Sequence, residues 1–110
     1  MKFHLGLVAI LAATAATAAE PDTGKAVYDH WCAPCHAPGP GHPGTQSLQL
    51  KYKGTPSAVL LERTDLTPAQ IAVFVRQGVL LMAPFRKTEI TDKELAALTA
   101  YIANAAKKKR

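Results

Sequence analysis

The chain has few residues from which to build a reactive site: two cysteines, two methionines and four histidines among 110 residues. Two cysteines close at most one disulfide, which excludes a disulfide-rich scaffold. There is no second cysteine pair to complete a four-thiolate zinc site. No segment reads as a strand, and nothing resembles a linker between domains. Ser47 and Ser57 have no evident base in a triad-like context, and the carboxylates scatter to helix ends, where capping and dipole roles account for them. A basic stripe is missing too. The formal charge is +5, but Lys2 and the run Lys107–Arg110 carry the excess, and the body holds eight basic against eight acidic residues. That balance argues against a nucleic-acid partner. The basic run reads as a solvated end that complements the negative pole of a helix dipole.

What is present at the start is a leader. Lys2 supplies a positive n-region, Leu5 to Ala13 an apolar run, and Ala16–Ala19 a small-residue cleavage site. The apolar run is too short to cross a hydrocarbon core of roughly 30 Å, so a cleaved signal is expected rather than an anchor. The expected organisation is residues 1–19 as signal peptide, 20–106 as one domain and 107–110 as a basic tail. Secretion into a periplasm follows, with no stable membrane insertion.

Four helices are expected. The first runs from about Asp22 to Cys35, capped by Asp22 or Thr23, with Val27 and Trp31 on one face. Ala37–Thr45, dense in glycine and proline, reads as a stiff loop that cannot be helical. Thr55-Pro56 and Thr67-Pro68 each place a capping threonine before a proline at the first helical position. They predict a short helix over Pro56–Arg63 and a longer one over Pro68–Gln77, with Gln70 completing a capping box. Ile71, Phe74 and Val75 form the apolar face of the longer helix, and Gly78 is its stop. Thr91 to Glu94 open the last helix with another box, and Leu95, Leu98, Ile102 and Ala105 mark one face, with Tyr101 beside it. The fold class is therefore all-α.

The chemistry lies in Trp31-Cys32-Ala33-Pro34-Cys35-His36, which contains the C-x-x-C-H signature of covalent c-type haem attachment. Cysteines three apart lie on one side of a helical turn, where both thiols reach the two vinyl groups of a porphyrin. The adjacent imidazole is carried toward the iron as the proximal ligand. A zinc site would have to recruit His30 and His42, and a thioredoxin-like pair expects a preceding strand. Haem c, one per chain, is the expected cofactor.

The second axial ligand follows by elimination. The methionines are Met1, in the leader, and Met82, in a loop between Gly78 and Thr91 that Pro84 stiffens. His/Met ligation raises the reduction potential and suits electron transfer. His42 is the rival ligand, and an open sixth position, as in a sensor or peroxidase-like protein, is the third possibility.

Gly24 and Tyr28 ahead of CAPCH, Met82 in LMAPF, and a C-terminal amphipathic helix with Tyr101 resemble a class I cytochrome c. The resemblance implies a small fold of about four helices around one haem. It also implies that the first and last helices cross closely at a glycine, packing Gly24 and Tyr28 against Leu98 and Tyr101. In that family a Gly-Pro carbonyl steadies the ligating histidine; here Pro40 and Pro43 both stand in range, and the choice is open. From Tyr52 to Ile102 the chain also resembles the cytochrome subunits of flavin-dependent p-cresol methylhydroxylase and eugenol hydroxylase. That likeness implies a flavoprotein partner oxidising 4-alkylphenols.

The expected function is one-electron transfer, with no catalytic residue of the chain's own. Two kinds of partner are in view. One is a flavoprotein dehydrogenase subunit, contacted through exposed Leu80, Leu81 and Ala83 beside Met82. The alternative is a free shuttle between respiratory or dehydrogenase complexes, which would be steered by charge.

Overall fold

The computed structural model describes residues 21–109. The leader over residues 1–19 lies outside the described residues, as do Glu20 and Arg110. Helix α1, Pro21–Val27, runs without a break into a wider turn, Tyr28–Cys32, and then into α2, Ala33–His36. In the wider turn the Ala33 N–H reaches back five residues to the Tyr28 carbonyl, a π-type turn of the kind often found beside functional groups. Helix α3 is Pro43–Tyr52, α4 is Pro68–Gln77 and α5 is Asp92–Ala105. Single 3₁₀ turns cover Leu60–Glu62 and Ala106–Lys109. Among the described residues the β pairing is one isolated bridge, Val79 with Met82. The all-α expectation holds.

The core is built on α5. Leu98 and Ile102 are fully buried, as is Ile90 just before the helix, and Leu95 joins them. Ile71 and Val75 of α4 and Val27, Tyr28 and Cys32 of the first helical run complete the cluster. Helix α1 meets α5 at Gly24. A Cβ added there would stand 2.3 Å from the Ala97 carbonyl oxygen and 2.7 Å from the Tyr101 Cβ. Hydrogen at that position is what lets the two backbones touch. Beside the contact, the Tyr28 and Tyr101 rings lie 5.7 Å apart at 52°, a tilted arrangement that aromatic pairs favour. The glycine crossing with its aromatic pair is as the class I resemblance implied.

Two helix starts are as expected. Thr67 and Thr91 each accept from the backbone N–H three residues on, while Gln70 and Glu94 accept from the N–H of the capping threonine. Such boxes satisfy donors that a helix start otherwise leaves orphaned. Backbone hydrogen bonding from Thr91 also holds the Glu94 carboxyl below its usual range.

Four expectations fail. Residues 43–45 are not loop: Pro43 opens α3, where its missing N–H costs nothing. Nothing in the sequence announced α3, because among its residues only Thr45 is buried and no apolar face exists. Pro56–Arg63 is not a helix beyond Leu60–Glu62. The Ser57 hydroxyl donates to Glu62 at 2.8 Å and accepts from the Val59 N–H at 3.1 Å. Those local bonds compete with helix formation, and Val59 is extended. The Thr55–Pro56 peptide is cis. The first helix already includes Pro21, so Asp22 and Thr23 lie inside it rather than capping it. Lastly, Phe74 is 40% exposed while Ile71 and Val75 are buried, which narrows the apolar face of α4.

Gly24→Ala should destabilise the fold by about 1–3 kcal/mol, the usual cost of forcing atoms into a packed contact. Urea unfolding followed by circular dichroism measures this. A stability equal to that of the parent protein would mean that α1 and α5 do not touch at Gly24.

Candidate haem-binding site

Cys32, Cys35 and His36 share one continuous helical run, in which the π-type turn ends at Cys32 and α2 carries Cys35 and His36. Cys32 is buried and Cys35 exposed, and the two are not joined in a disulfide. Burial pushes the Cys32 thiol up to about 11, with the neighbouring Cys35 adding to the shift. The Tyr28 phenol, raised to about 12 chiefly by burial, stays protonated and donates to the His36 carbonyl at 3.4 Å. The backbone of His36 is thus tied to the first helical run beside the α1–α5 contact.

The segment that follows folds back on this turn. The Thr45 hydroxyl donates to the Ala37 carbonyl at 2.8 Å. His42 Nδ1 lies 3.0 Å from the Pro34 carbonyl; a carbonyl only accepts, so this nitrogen carries the proton. His42, considered above as a rival ligand, therefore has a structural task across the loop. The fold-back presses Gly44 onto the imidazole of His36. A Cβ at Gly44 would fall 2.8 Å from His36 Cε1, 3.0 Å from its Nδ1 and 2.8 Å from the Cys35 carbonyl oxygen. His36 Nδ1 is buried and has no hydrogen-bond partner among the described residues. Neither the Pro40 nor the Pro43 carbonyl accepts from it, contrary to the role that the family resemblance held open for one of them. Burial also lowers the pKa of His36, which favours the neutral imidazole.

Met82 stands on a separate loop, half-buried, and exchanges two backbone hydrogen bonds with Val79, at 3.0 and 2.9 Å. Between them, Leu80 and Leu81 are 93% and 99% exposed. Gly78 shapes the entry to this loop. Its φ is +70°, and a Cβ there would lie 2.5 Å from the Met82 carbonyl oxygen, so only glycine fits. Three residues beyond Met82, the Phe85 ring meets Trp31 edge-on, centroids 5.7 Å apart at 72°. Trp31 immediately precedes Cys32, so this contact sets the Met82 loop beside the Cys32–His36 turn. Among the described residues no three His, Cys, Asp or Glu side chains gather as a metal-binding cluster.

The model of the family described as cytochrome c oxidase, cbb3-type, subunit III matches residues 19–102. The chain belongs to that family. It is a c-type cytochrome of class I fold, an electron-transfer protein for which the family implies haem c. No curated protein and no solved structure matches the cytochrome significantly, so the narrower likeness to flavocytochrome subunits has no counterpart in these comparisons.

The side chains present fit such a group. A half-buried imidazole whose environment favours the neutral form keeps a ring-nitrogen lone pair that would ligate iron. A thioether on an adjoining loop suits the opposite side. Gly44, Trp31 and Phe85 shape this region, yet sequence reasoning gave none of them a role in the site. Trp31 and Phe85 adjoin the expected ligands within their motifs, which was a usable signal. For Gly44 there was no signal, because nothing in the sequence announced the helix whose first turn it occupies.

Gly44→Ala should lower the yield of haem-loaded protein and shift its reduction potential, because the added methyl must push the His36 ring or the Cys35 carbonyl aside. Redox titration of the purified cytochrome reads this shift. An unchanged potential at full haem content would show that the ring does not depend on Gly44.

Proposed function

We propose that this cytochrome carries one haem, bound to Cys32 and Cys35 by thioethers and ligated by His36 and Met82, and passes single electrons in the periplasm. The observation that carries this reading is the half-buried imidazole of His36, its Nδ1 buried and without a hydrogen-bond partner among the described residues, on the same helical run as both thiols. When bound, the haem supplies a one-electron iron couple. The chain supplies the attachment, the ligands and the surroundings. Each thioether is an addition of S–H across a vinyl double bond, so the mature chain gains the mass of one haem and loses nothing. Tyr28 anchors the His36 backbone, Gly44 limits the tilt of its ring, and the Trp31–Phe85 contact keeps the Met82 loop at hand.

Mass spectrometry of periplasmic protein should show a chain cleaved after Ala18 or Ala19 plus one haem. In Met82→Ala the far-red sulfur-to-iron charge-transfer band of the ferric protein should vanish and the potential fall, with the haem still attached. A haem-free mass despite working maturation machinery, or an unchanged band in the variant, would overturn the corresponding assignment.

The partner we propose is a flavoprotein dehydrogenase subunit of the kind that oxidises 4-alkylphenols, docked at the tip of the Met82 loop. Support comes from the backbone of Leu80, whose φ is +51°. A leucine in that region is held against its steric preference. Leu80 and Leu81 gain no burial from this chain in return. An apolar pair so exposed, next to exposed Val79, suits a surface that meets a partner. The free-shuttle reading draws on Arg86 and Lys87 just beyond the loop, with side chains 83% and 73% exposed. Both lie near carboxylates, Arg86 with Glu89 at 3.9 Å and Lys87 with Asp92 at 3.0 Å, which blunts their field.

Leu80→Gly should leave folding intact or improve it, and Leu81→Lys should be neutral to folding. Both should slow reduction by the flavoprotein, and binding should weaken only slightly from low to high salt. Steep salt dependence together with unimpaired reduction in both variants would establish the charge-steered shuttle instead.

A further inference from the structure

We infer that Arg76 is the positioning residue that holds the Met82 loop in place, an inference resting on the reading of Met82 as an iron ligand. Besides the Val79–Met82 bridge within the loop and the Trp31–Phe85 ring contact, few restraints secure it among the described residues. Leu80, Leu81, Ala83 and Pro84 are exposed, so burial fixes none of the residues that flank Met82. What remains is a clamp at Phe85. The Phe85 N–H donates to the Val75 carbonyl at 2.8 Å. Arg76, the next residue of α4, donates through Nη1 to the Phe85 carbonyl at 3.2 Å. Two successive residues of the last turn of α4 therefore engage both backbone groups of Phe85.

The other arm of the guanidinium reaches a third segment. Nη2 donates to Asp92 at 2.9 Å, at the start of α5. Lys87 meets the same carboxylate at 3.0 Å. Hydrogen bonds from Lys87, and secondarily from Arg76, keep the Asp92 carboxyl below its usual range. One planar fork thus joins α4, the exit of the Met82 loop and α5. An ammonium group at position 76 would keep the charge but could not span two acceptors in this way. At the other end the loop is closed by Gly78, whose N–H donates to Phe74 at 2.8 Å. Of these hydrogen bonds those of the Arg76 fork are donated by a side chain, so they can be removed without altering the backbone.

The consequence concerns how firmly a thioether is presented. A loop pinned at both ends loses less conformational entropy when its methionine engages a ligand site than a loop free at one end. Without the fork, the Met82-bound arrangement competes with open forms of the loop, while the α1–α5 core is untouched.

The test uses the holoprotein and three variants, Arg76→Ala, Arg76→Lys and Met82→Ala. In Arg76→Ala, exchange of the Phe85 and Met82 amides should quicken by about tenfold, while the Leu98 and Ile102 amides in α5 keep their protection. During urea unfolding the ferric far-red band of this variant should disappear before the helical signal, whereas in the parent protein both vanish together. Its reduction potential should fall, and Arg76→Lys should lie between the two. Unchanged exchange at Phe85 and Met82, or equal acceleration at Leu98 and Ile102, would overturn the clamp. Retention of the band in Met82→Ala would overturn the ligand reading instead, and the Phe85 amide exchange of Arg76→Ala set against that of the parent protein would still decide the clamp.

Discussion

The close contact of α1 with α5 at Gly24 is the constraint from which the rest of the cytochrome hangs. A chain this small has little core to spare, and its buried side chains gather around α5. Backbone contact at Gly24 brings the first helical run onto that core and sets Tyr28 against Tyr101. From the same ring, the Tyr28 hydroxyl reaches the His36 carbonyl. One steric fact near the start of the described chain therefore fixes both a core contact and the backbone of the expected iron ligand. Cys32, buried in the same cluster, is held by the same packing.

The parts of the fold that were legible in the sequence are those whose cause is local. Helices α4 and α5 declare themselves by capping boxes and by apolar residues at helical spacing, and both form as read. The Cys32–Cys35–His36 arrangement is legible for the same reason, since three residues on adjoining turns need no tertiary information to define a site. Met82 emerged by elimination, and the structure places it on a loop joined to the Cys32–His36 turn through Trp31 and Phe85. Helix α3 was illegible because its exposed residues have no hydrophobic rhythm, and a proline and a glycine in its first turn read as loop. Pro56–Arg63 misled in the opposite sense: Ser57 takes over the bonding that a helix start would need.

Roles that arise only when distant segments meet could not be read in advance. Gly44 matters because the chain doubles back over the His36 ring. Arg76 matters because α4, the Phe85 carbonyl and Asp92 converge within reach of one guanidinium. The family pattern led to a proline carbonyl beneath the imidazole; in this chain a glycine occupies the contact and the ring Nδ1 has no partner among the described residues. The same fold thus seats its histidine by shape where a hydrogen bond was expected.

The clamp at Phe85 uses only the backbone of that residue, its N–H to Val75 and its carbonyl to Arg76. At the other end, Gly78 stops α4 without help from any side chain beyond it. The intervening tip is therefore an exchangeable cassette: its outward residues 81 and 83 are free to diversify, and residue 80 within what its positive φ allows, while the cradle around them stays the same. On the docking proposed above, recognition would drift at that tip without renegotiating how the protein folds, so one scaffold would serve successive redox partners through a handful of substitutions.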